Sequence, residues 1–268
     1  MHIIKADGKS EEFSEKKLLA SIHRAGIPAP LQSQVLMHIK SKVHAGMHTS
    51  EIYQHIIEFL DTSTLPYGKT RYSLKQSLMD LGPTGYPFED YLARLLQHIE
   101  YQTTTRVITQ GKCISHEIDV IATKQNEKVM VEAKFHNSTG IKTDVHVGLY
   151  TYARFEDVKE RNHFMSVLLI TNTKATSDVI TYAQCVGMSI LGWGYPEKDN
   201  LQDLVERFQL FPITALGQLT ASQKQQLLTQ GITLCKDLCI NPHALDILDL
   251  PDNKKEEIFK EANFACQL

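Results

Sequence analysis

Two spacings of apolar residues divide the first third of the chain into a hairpin and several helices. In "FSEKKLLASIHRAG", apolar side chains recur every three or four residues, which predicts a helix capped by Ser14 and ended by Gly26. Before it, the Asp-Gly pair of "KADGK" favours a hairpin turn between strands at about 2–5 and 11–13. Helical patterns follow at about 31–45, 50–61 (capped by Thr49 or Ser50) and 68–80. We predict a compact α+β domain over residues 1–82.

A second unit begins after the turn-rich stretch "LGPTGYP", and in it the two spacings alternate. The pattern predicts helices over about 88–101, 144–160 and from about 176, and strands near 104–110, 116–122, 129–135, 164–171 and 189–193. Alternating strands and helices indicate an α/β domain with a mixed sheet, which we place at residues 83–212. Over residues 213–268, short helices at about 220–230, 232–240, 242–248 and 252–264 predict a small all-α domain.

Charged residues interrupt one of these strands, "VMVEAKF" (129–135). Side chains alternate along a strand, so Glu132 and Lys134 share one face and the apolar positions between them share the other. In the preceding strand, "HEIDVIA", the charged residue Asp119 lies between apolar neighbours. If Gln125-Asn126 form the loop of a tight hairpin, Asp119 lies opposite Glu132 and on the same face as Lys134. The sequence therefore predicts three charged groups on one surface.

Two carboxylates and a lysine suit hydrolysis of a phosphodiester. Carboxylates bind a hard cation such as Mg²⁺, which polarises the phosphate and activates water, and a lysine orients that water or stabilises the transition-state charge. The spacing alone also fits a solvated strand face with a cross-strand ion pair, for example between Glu117 and Lys134.

The motif Asp119, twelve residues, Glu132–Ala133–Lys134, after a helix that carries Phe88-Glu89, resembles the PD-(D/E)xK nuclease superfamily. Its Mrr-type restriction endonucleases and the archaeal Holliday-junction resolvases are most similar, over about 83–195. The resemblance implies that Asp119 and Glu132 bind Mg²⁺ or Mn²⁺, that Lys134 assists the attacking water, and that Glu89 completes the metal site.

The chain departs from the family pattern at two places. Ile118 stands where the family's name-giving dipeptide has proline, and no clear glutamine follows the lysine strand, as many Mrr-type enzymes have. Further residues near the motif could contact phosphate or simply pack; they are His136, Asn137, Tyr150, Tyr152 and Arg154.

The N-terminal unit resembles an ATP-cone, the nucleotide-sensing domain of ribonucleotide reductases and their repressor. The resemblance rests on "IIKADGKSEEFSEKKLLASI", "HTSEIYQHIIEFL" and "KTRYSLKQSL". It implies that ATP or dATP binds as an effector, with contacts from Lys5, Glu11, Lys17, Thr49 and Tyr53. Lysines suit phosphate, and a helix N-terminus at Thr49 offers backbone N–H groups. Tyr53 stands where relatives can carry histidine. No Gly-x-x-x-x-Gly-Lys loop is present, so we expect no ATP hydrolysis. The alternative is a small helical packing domain.

The last domain, 213–268, resembles helix-hairpin-helix modules, with turns at Gly231 and at Asn241-Pro242. Such a glycine turn can approach DNA phosphates through backbone amides. A packing or interaction role fits its sequence equally well.

Composition narrows the class of protein. Of 268 residues, 42% are hydrophobic and 22% charged, as in ordinary globular proteins, and no apolar run is long enough to span a membrane. The first residues lack the apolar core of a signal peptide, and five cysteines without a framework spacing favour a reduced, cytoplasmic protein. The net charge of −3, with no strongly basic segment, requires any DNA binding to use a local patch or a metal ion.

These features lead to one hypothesis and two alternatives. We expect a Mg²⁺-dependent DNA endonuclease regulated by ATP or dATP, suited to phage defence or DNA repair. A homodimer is expected because each site cuts one strand of a duplex. One alternative is a nucleotide-responsive DNA-binding or regulatory protein without catalysis, and the other is a structure-selective Holliday-junction resolvase.

Overall fold

The computed structural model describes residues 1–267. Its N-terminal part contains the antiparallel strands β1 (His2–Ile4) and β2 (Ser10–Glu12), followed by α1 (Glu15–Arg24), α2 (Ala29–Lys42), α3 (Thr49–Asp61), α4 (Gly68–Tyr72) and α5 (Leu74–Met79). The predicted hairpin is confirmed, and the helix predicted over 68–80 is divided at Ser73.

Two helix ends show how the sequence controls the local fold. Ser14 caps α1 as predicted, because its hydroxyl accepts a hydrogen bond from the Lys17 N–H at 3.3 Å. The predicted cap of α3 at Thr49 or Ser50 is wrong. Thr49 is already helical, His48 is the cap, and the Glu51 carboxylate accepts the His48 N–H at 2.9 Å.

A five-stranded mixed sheet forms the centre of the molecule. Its order is β3-β4-β5-β7-β9, in which β3, β4 and β5 form an antiparallel meander, β7 runs parallel to β5, and β9 runs parallel to β7. The strands and their helices are α6 (Tyr86–His98), β3 (Gln102–Gln110), β4 (Ser115–Lys124), β5 (Glu127–Lys134), α7 (Val145–Asn162), β7 (Ser166–Thr171), α8 (Ser177–Val186) and β9 (Ser189–Leu191). The predicted α/β architecture is confirmed.

Helices cover both faces of this sheet. On one face, α6 packs against Val120 and Val131; on the other, α7 and α8 pack against Met130 and Leu169. Met130, on the strand face that carries Glu132 and Lys134, is fully buried. The charged site is therefore restricted to the carboxyl-terminal end of β5.

A short parallel pair, β6 (Lys142–Thr143) and β8 (Lys174–Ala175), lies beyond the ends of β5 and β7. This pair was not predicted, because two residues per strand are too few to show alternation. Lys142 is the register partner of Lys174 in this pair.

The C-terminal helices share the core of the α6 face. They are α9 (Leu201–Phe208), which was not predicted, α10 (Ala221–Thr229), α11 (Cys235–Ile240) and α12 (Asp252–Cys266), with 3₁₀ turns at Ile213–Ala215 and Pro242–Ile247. Leu238 and Ile258 belong to the same buried cluster as Val131. The domain boundaries at 82 and 212 stay predictions.

Buried polar contacts join the N-terminal helices to α12. The Glu261 carboxylate, 1% exposed, accepts hydrogen bonds from the Thr70 hydroxyl and from the N–H groups of Gly217 and Gln218. Arg71 donates to the Phe264 carbonyl at 2.8 Å. Within residues 1–267, no helix is long and apolar enough to cross a membrane.

Candidate active site

The β4–β5 hairpin aligns the predicted carboxylates. Lys124 pairs with Glu127, so Gln125 and Asn126 form the two-residue loop, as predicted. Gln125 adopts a φ of 54°, the left-handed conformation that tight hairpin turns require. The ladder ends at the pair Val120–Val131, and the next positions along the two strands are Asp119 and Glu132.

The backbone of β5 holds the Asp119 carboxylate in place. Asp119 Oδ2 accepts a hydrogen bond from the Ala133 N–H at 2.7 Å. This bond crosses from β4 to β5 just beyond the last paired residues. The carboxylate is therefore fixed against the strand that carries Glu132 and Lys134.

Arg154, on α7, places a positive charge between the two carboxylates. Its Nη1 lies 2.7 Å from Glu132 Oε2 and 3.9 Å from Asp119 Oδ1, and it also donates to the Glu117 carbonyl at 3.2 Å. The guanidinium carbon lies 4.5 Å from the ring centre of Tyr150, whose hydroxyl is a further partner. The Arg154 side chain is 11% exposed, so this is a largely buried ion pair.

Glu89 lies in the first turn of α6, and the charge of Asp119 acts on it. It is 8% exposed, and its Oε2 lies 3.3 Å from Arg106 Nη1. Arg106 Nη2 lies 2.8 Å from Asp90 Oδ1. Arg106 interrupts the β3–β4 ladder and has a φ of 53°.

Burial and mutual repulsion make the three carboxylates one electrostatic group. Burial raises the pKa of Glu132 to about 7, with the charges of Asp119 and Glu89 adding to the effect and Arg154 and Lys134 opposing it. Burial and then the charge of Asp119 raise the pKa of Glu89 to about 7. Burial raises the pKa of Asp119, and the hydrogen bond from the Ala133 N–H and the charge of Arg154 oppose that rise. The group carries more negative charge than its two arginines offset, which favours an added cation.

The donor set suits a hard divalent cation. Among residues 1–267, no three Asp, Glu, His or Cys side chains converge on a single metal position, since Arg154 holds Glu132 and Arg106 holds Glu89. One Arg154 nitrogen nevertheless lies within ion-pair distance of both Glu132 and Asp119, so one cation can lie between them. All donors are carboxylate oxygens, which Mg²⁺ and Mn²⁺ prefer.

Lys134 ends β5 next to this group. Within the described residues its ammonium makes no ion pair or side-chain hydrogen bond, and the cross-strand pair with Glu117 is not formed. Its charge opposes the rise in the pKa of Glu132. Lys134 is therefore the cation of the site that has no protein partner among residues 1–267.

The other residues near the motif have different positions. The Tyr152 ring packs between Phe155 and Tyr182, with centroid distances of 6.1 and 6.2 Å, away from the carboxylates. The His136 imidazole lies 3.2 Å from the Thr143 hydroxyl, and burial lowers its pKa. Tyr150 reaches the site only through Arg154. Asn137 bonds its neighbour, the Ser138 hydroxyl, at 3.1 Å.

Sequence reasoning missed the structural role of two arginines. Arg154 follows Tyr150 by four positions on one helical face, a spacing that indicated a pair but not its target. Arg106 lies in β3 between the paired Thr105 and Val107, whose partners Val120 and Ile118 flank Asp119. The β3–β4 register, which the sequence did not predict, would have placed Arg106 at the site.

The residues predicted to bind nucleotide gather around two adjoining cavities. A cavity of about 170 Å³ is lined by Glu11, Lys17, Thr49 and Tyr53, and Tyr53 stacks on Tyr72 at 5.8 Å. A second, of about 230 Å³, shares Glu11 and Thr49 and adds Lys5. Glu11 Oε2 lies 3.7 Å from Lys5 Nζ and 3.0 Å from Lys17 Nζ.

Comparison with known proteins defines the class and then the family. Residues 83–191 match the restriction endonuclease domain family, which agrees with the mixed sheet and the carboxylate site. Residues 211–266 match the AF1548-like C-terminal domain family. An uncharacterised protein of Archaeoglobus fulgidus is 38% identical over 172 residues, which are 64% of this chain and 97% of the relative. The crystal structure of AF1548, a protein of unknown function, has 36% identity and a TM-score of 0.59, covering 67% of this chain and 97% of that one. The chain belongs to the AF1548-like family.

Proposed function

We propose that this chain is a metal-dependent endonuclease that hydrolyses phosphodiester bonds in DNA. The observation that supports it most directly is the convergence of Asp119 and Glu132 on one cation position, with the unpaired Lys134 beside them. The match of residues 83–191 to restriction endonuclease domains supports the same reaction class. Glu89 is proposed as a further metal ligand, since it is buried in the first turn of α6 and the charge of Asp119 contributes to the rise in its pKa.

Each residue of the site has a separate task in this proposal. Asp119 and Glu132, with Glu89, hold Mg²⁺ or Mn²⁺. When bound, the cation supplies Lewis-acid charge to the scissile phosphate and to the attacking water. Lys134 donates a hydrogen bond to that water or to the phosphate oxygens, where negative charge develops. The Ala133 N–H keeps Asp119 oriented throughout.

Residues 1–82 are proposed to act as an ATP-cone that regulates this site. The support is the gathering of Lys5, Glu11, Lys17, Thr49 and Tyr53 around two cavities. Lysines and the N-terminus of α3 suit the phosphates, and the aromatic wall of Tyr53 and Tyr72 suits a base. We propose that ATP or dATP binds as an effector to a homodimer, and that DNA is the substrate.

A cleavage assay tests this function. The full chain is incubated with supercoiled plasmid and with a four-way DNA junction, in Mg²⁺, Mn²⁺ or EDTA, beside Asp119→Ala and the exposed-lysine control Lys112→Ala. We expect metal-dependent cleavage by the parent and the control and none by Asp119→Ala.

Three results would contradict the proposal or narrow it. Cleavage by Asp119→Ala at the parent rate would refute the site. Absence of cleavage in the parent, with nucleotide binding intact, would establish the non-catalytic regulatory protein instead. Cleavage of the junction but not of the plasmid would make the chain a resolvase.

A further inference from the structure

A lysine-rich cavity lies at the junction between the N-terminal part and the sheet domain. It has a volume of about 230 Å³. Its charged lining consists of Lys5, Lys75, Lys142, Lys174, Asp7 and Glu11. In a chain whose net charge is −3, four lysines against two carboxylates make this a local concentration of positive charge.

Lys75 and Lys174 have no acidic partner among residues 1–267, whereas the other two lysines do. Lys5 lies 3.7 Å from Glu11, and Lys142 lies 4.0 Å from Asp7. Lys75 Nζ lies 5.7 Å from the ring centre of Trp193, and its pKa is lowered by burial and then by the charge of Lys174. Lys75 and Lys174 therefore hold like charges near each other without an acidic partner among residues 1–267, and an anion would relieve their repulsion.

The lysines come from both parts of the chain. Lys5 follows β1 and Lys75 lies in α5, whereas Lys142 and Lys174 are register partners in the β6–β8 pair. The N-terminus of α3, at Thr49, borders the same cavity. An anion bound there would contact the predicted nucleotide domain and the nuclease domain together.

The neighbouring cavity indicates which anion fits. It shares Glu11 and Thr49 with the junction cavity, and apolar and aromatic side chains, including Ile56, Tyr53 and Tyr72, make up most of its remaining lining, with Lys17 as its further charged residue. A mainly apolar cavity that shares lining residues with a lysine-rich cavity matches a molecule with a flat base and a phosphate chain. Duplex DNA would instead require an open basic surface.

We propose that the phosphate chain of a nucleoside triphosphate binds in the junction cavity, where Lys142 and Lys174 of the nuclease domain complete the site formed by Lys5 and Lys75. This inference rests on the proposed nucleotide regulation and adds that the effector is held by both domains. The nucleoside occupies the Tyr53 cavity, and the phosphates reach across the junction.

Hydrogen bonds connect the strands that carry Lys142 and Lys174 to the segment that follows β5. After Lys134, the chain exchanges two hydrogen bonds between the His136 backbone and the Asn172 side chain, at 2.9 and 2.7 Å. Thr143, next to Lys142, is fully buried and bonds the Thr171 hydroxyl at 2.8 Å and the His136 ring at 3.2 Å. A phosphate on Lys142 and Lys174 therefore acts on the segment that positions Lys134.

Calorimetry with the full chain tests the shared site. ATP, inorganic tripolyphosphate and adenosine are titrated into the parent, into Lys142→Ala/Lys174→Ala, and into the control Lys112→Ala/Lys198→Ala, which removes two exposed lysines elsewhere. We expect the junction variant to bind ATP about tenfold or more weakly and to lose tripolyphosphate, with adenosine unchanged. The control should behave as the parent.

Binding is measured without DNA, so the outcome is independent of whether the chain cleaves. Unchanged ATP and tripolyphosphate affinity in the junction variant would overturn the shared site, even if the parent is an active nuclease. The proposal would also be overturned if the parent bound neither ATP nor tripolyphosphate and the substitutions at Lys142 and Lys174 abolished binding of duplex DNA. That result would favour a DNA contact at these lysines. Equal melting temperatures of the two double variants would confirm that both are folded.

Discussion

Glu89 is a buried carboxylate whose charge costs stability in the metal-free chain. Its pKa is raised from 4.5 to about 7, so the cost is absent below pH 4.5, grows between these values and is complete above pH 7. When Glu89 is neutralised, its partner Arg106 still has an ion pair with Asp90, at 2.8 Å. Charge burial at this residue thus opposes folding and supports cation binding.

We expect Glu89→Gln to stabilise the metal-free chain at pH 8 by about 1–3 kcal/mol and by less than about 0.5 kcal/mol at pH 4.5. Urea denaturation in EDTA at the two pH values measures the difference. An equal gain at both values would assign the effect to packing and not to charge.

Arg154 is the internal cation of the metal-free site. Its loss leaves the Glu132 carboxylate without its 2.7 Å partner in a largely buried environment. Removing one partner of a buried pair is costly, so Arg154→Met should lower the free energy of unfolding in EDTA by about 3 kcal/mol. Added Mg²⁺ should return part of that loss, because a ligand that binds the folded state stabilises it.

Lys159→Met on the same helix is the matched control. Lys159 pairs with Glu156 at 2.7 Å on the surface, where solvent screening leaves such a pair little net effect on stability. If Arg154→Met and Lys159→Met had the same free energy of unfolding in EDTA, that result would show that Arg154 does not hold the carboxylates.

At the scale of elements, the sequence predicted the hairpin that builds the site. Alternation within β4 and β5, together with an even loop at Gln125-Asn126, was enough to place Asp119 and Glu132 together. The sheet order, the β6–β8 pair and α9 were not predicted, because they depend on contacts between segments distant in sequence. The contacts of Arg106 and Arg154 with the carboxylates were not predicted for the same reason. Their partners are set by the packing of α6 and α7 on the sheet.

The contact between α7 and α8 sets the position of Arg154. A Cβ added at Gly148 of α7 would lie 2.7 Å from Val179 Cγ2 of α8. We expect Gly148→Ala to destabilise the chain by about 1–3 kcal/mol through overpacking, although alanine favours a helix. Denaturation of Gly148→Ala, Val179→Ala and the double variant measures the coupling. Strictly additive effects would show that the two helices do not meet at this point.

At the scale of the whole molecule, one loop of the nuclease domain touches the N-terminal hairpin. Gly140 has a φ of 85°, and a Cβ there would lie 2.3 Å from the Ala6 carbonyl oxygen. Asp7, next along the hairpin, lies 4.0 Å from Lys142. The loop that leads from β5 to β6 therefore joins the N-terminal hairpin directly to the strand that carries Glu132 and Lys134.

Gly140→Ala should separate this contact and weaken ATP binding by about tenfold. Gly187→Ala is the control, since Gly187 has a φ of 74° and no atom near an added Cβ, so it introduces the same backbone strain without the clash. Calorimetry compares the two. Equal ATP affinities would show that the nuclease loop takes no part in nucleotide binding.

The central claim is that Asp119, Glu132 and Lys134 form a site that cuts DNA with a divalent cation. The most direct measurement is the single-turnover cleavage rate of Lys134→Ala at saturating Mn²⁺, with Mn²⁺ binding checked by calorimetry. We predict unchanged metal binding and a rate about 10²–10⁴-fold below the parent, because Lys134 acts on the water or the phosphate and not on the cation. Cleavage by Lys134→Ala at the parent rate would contradict the account.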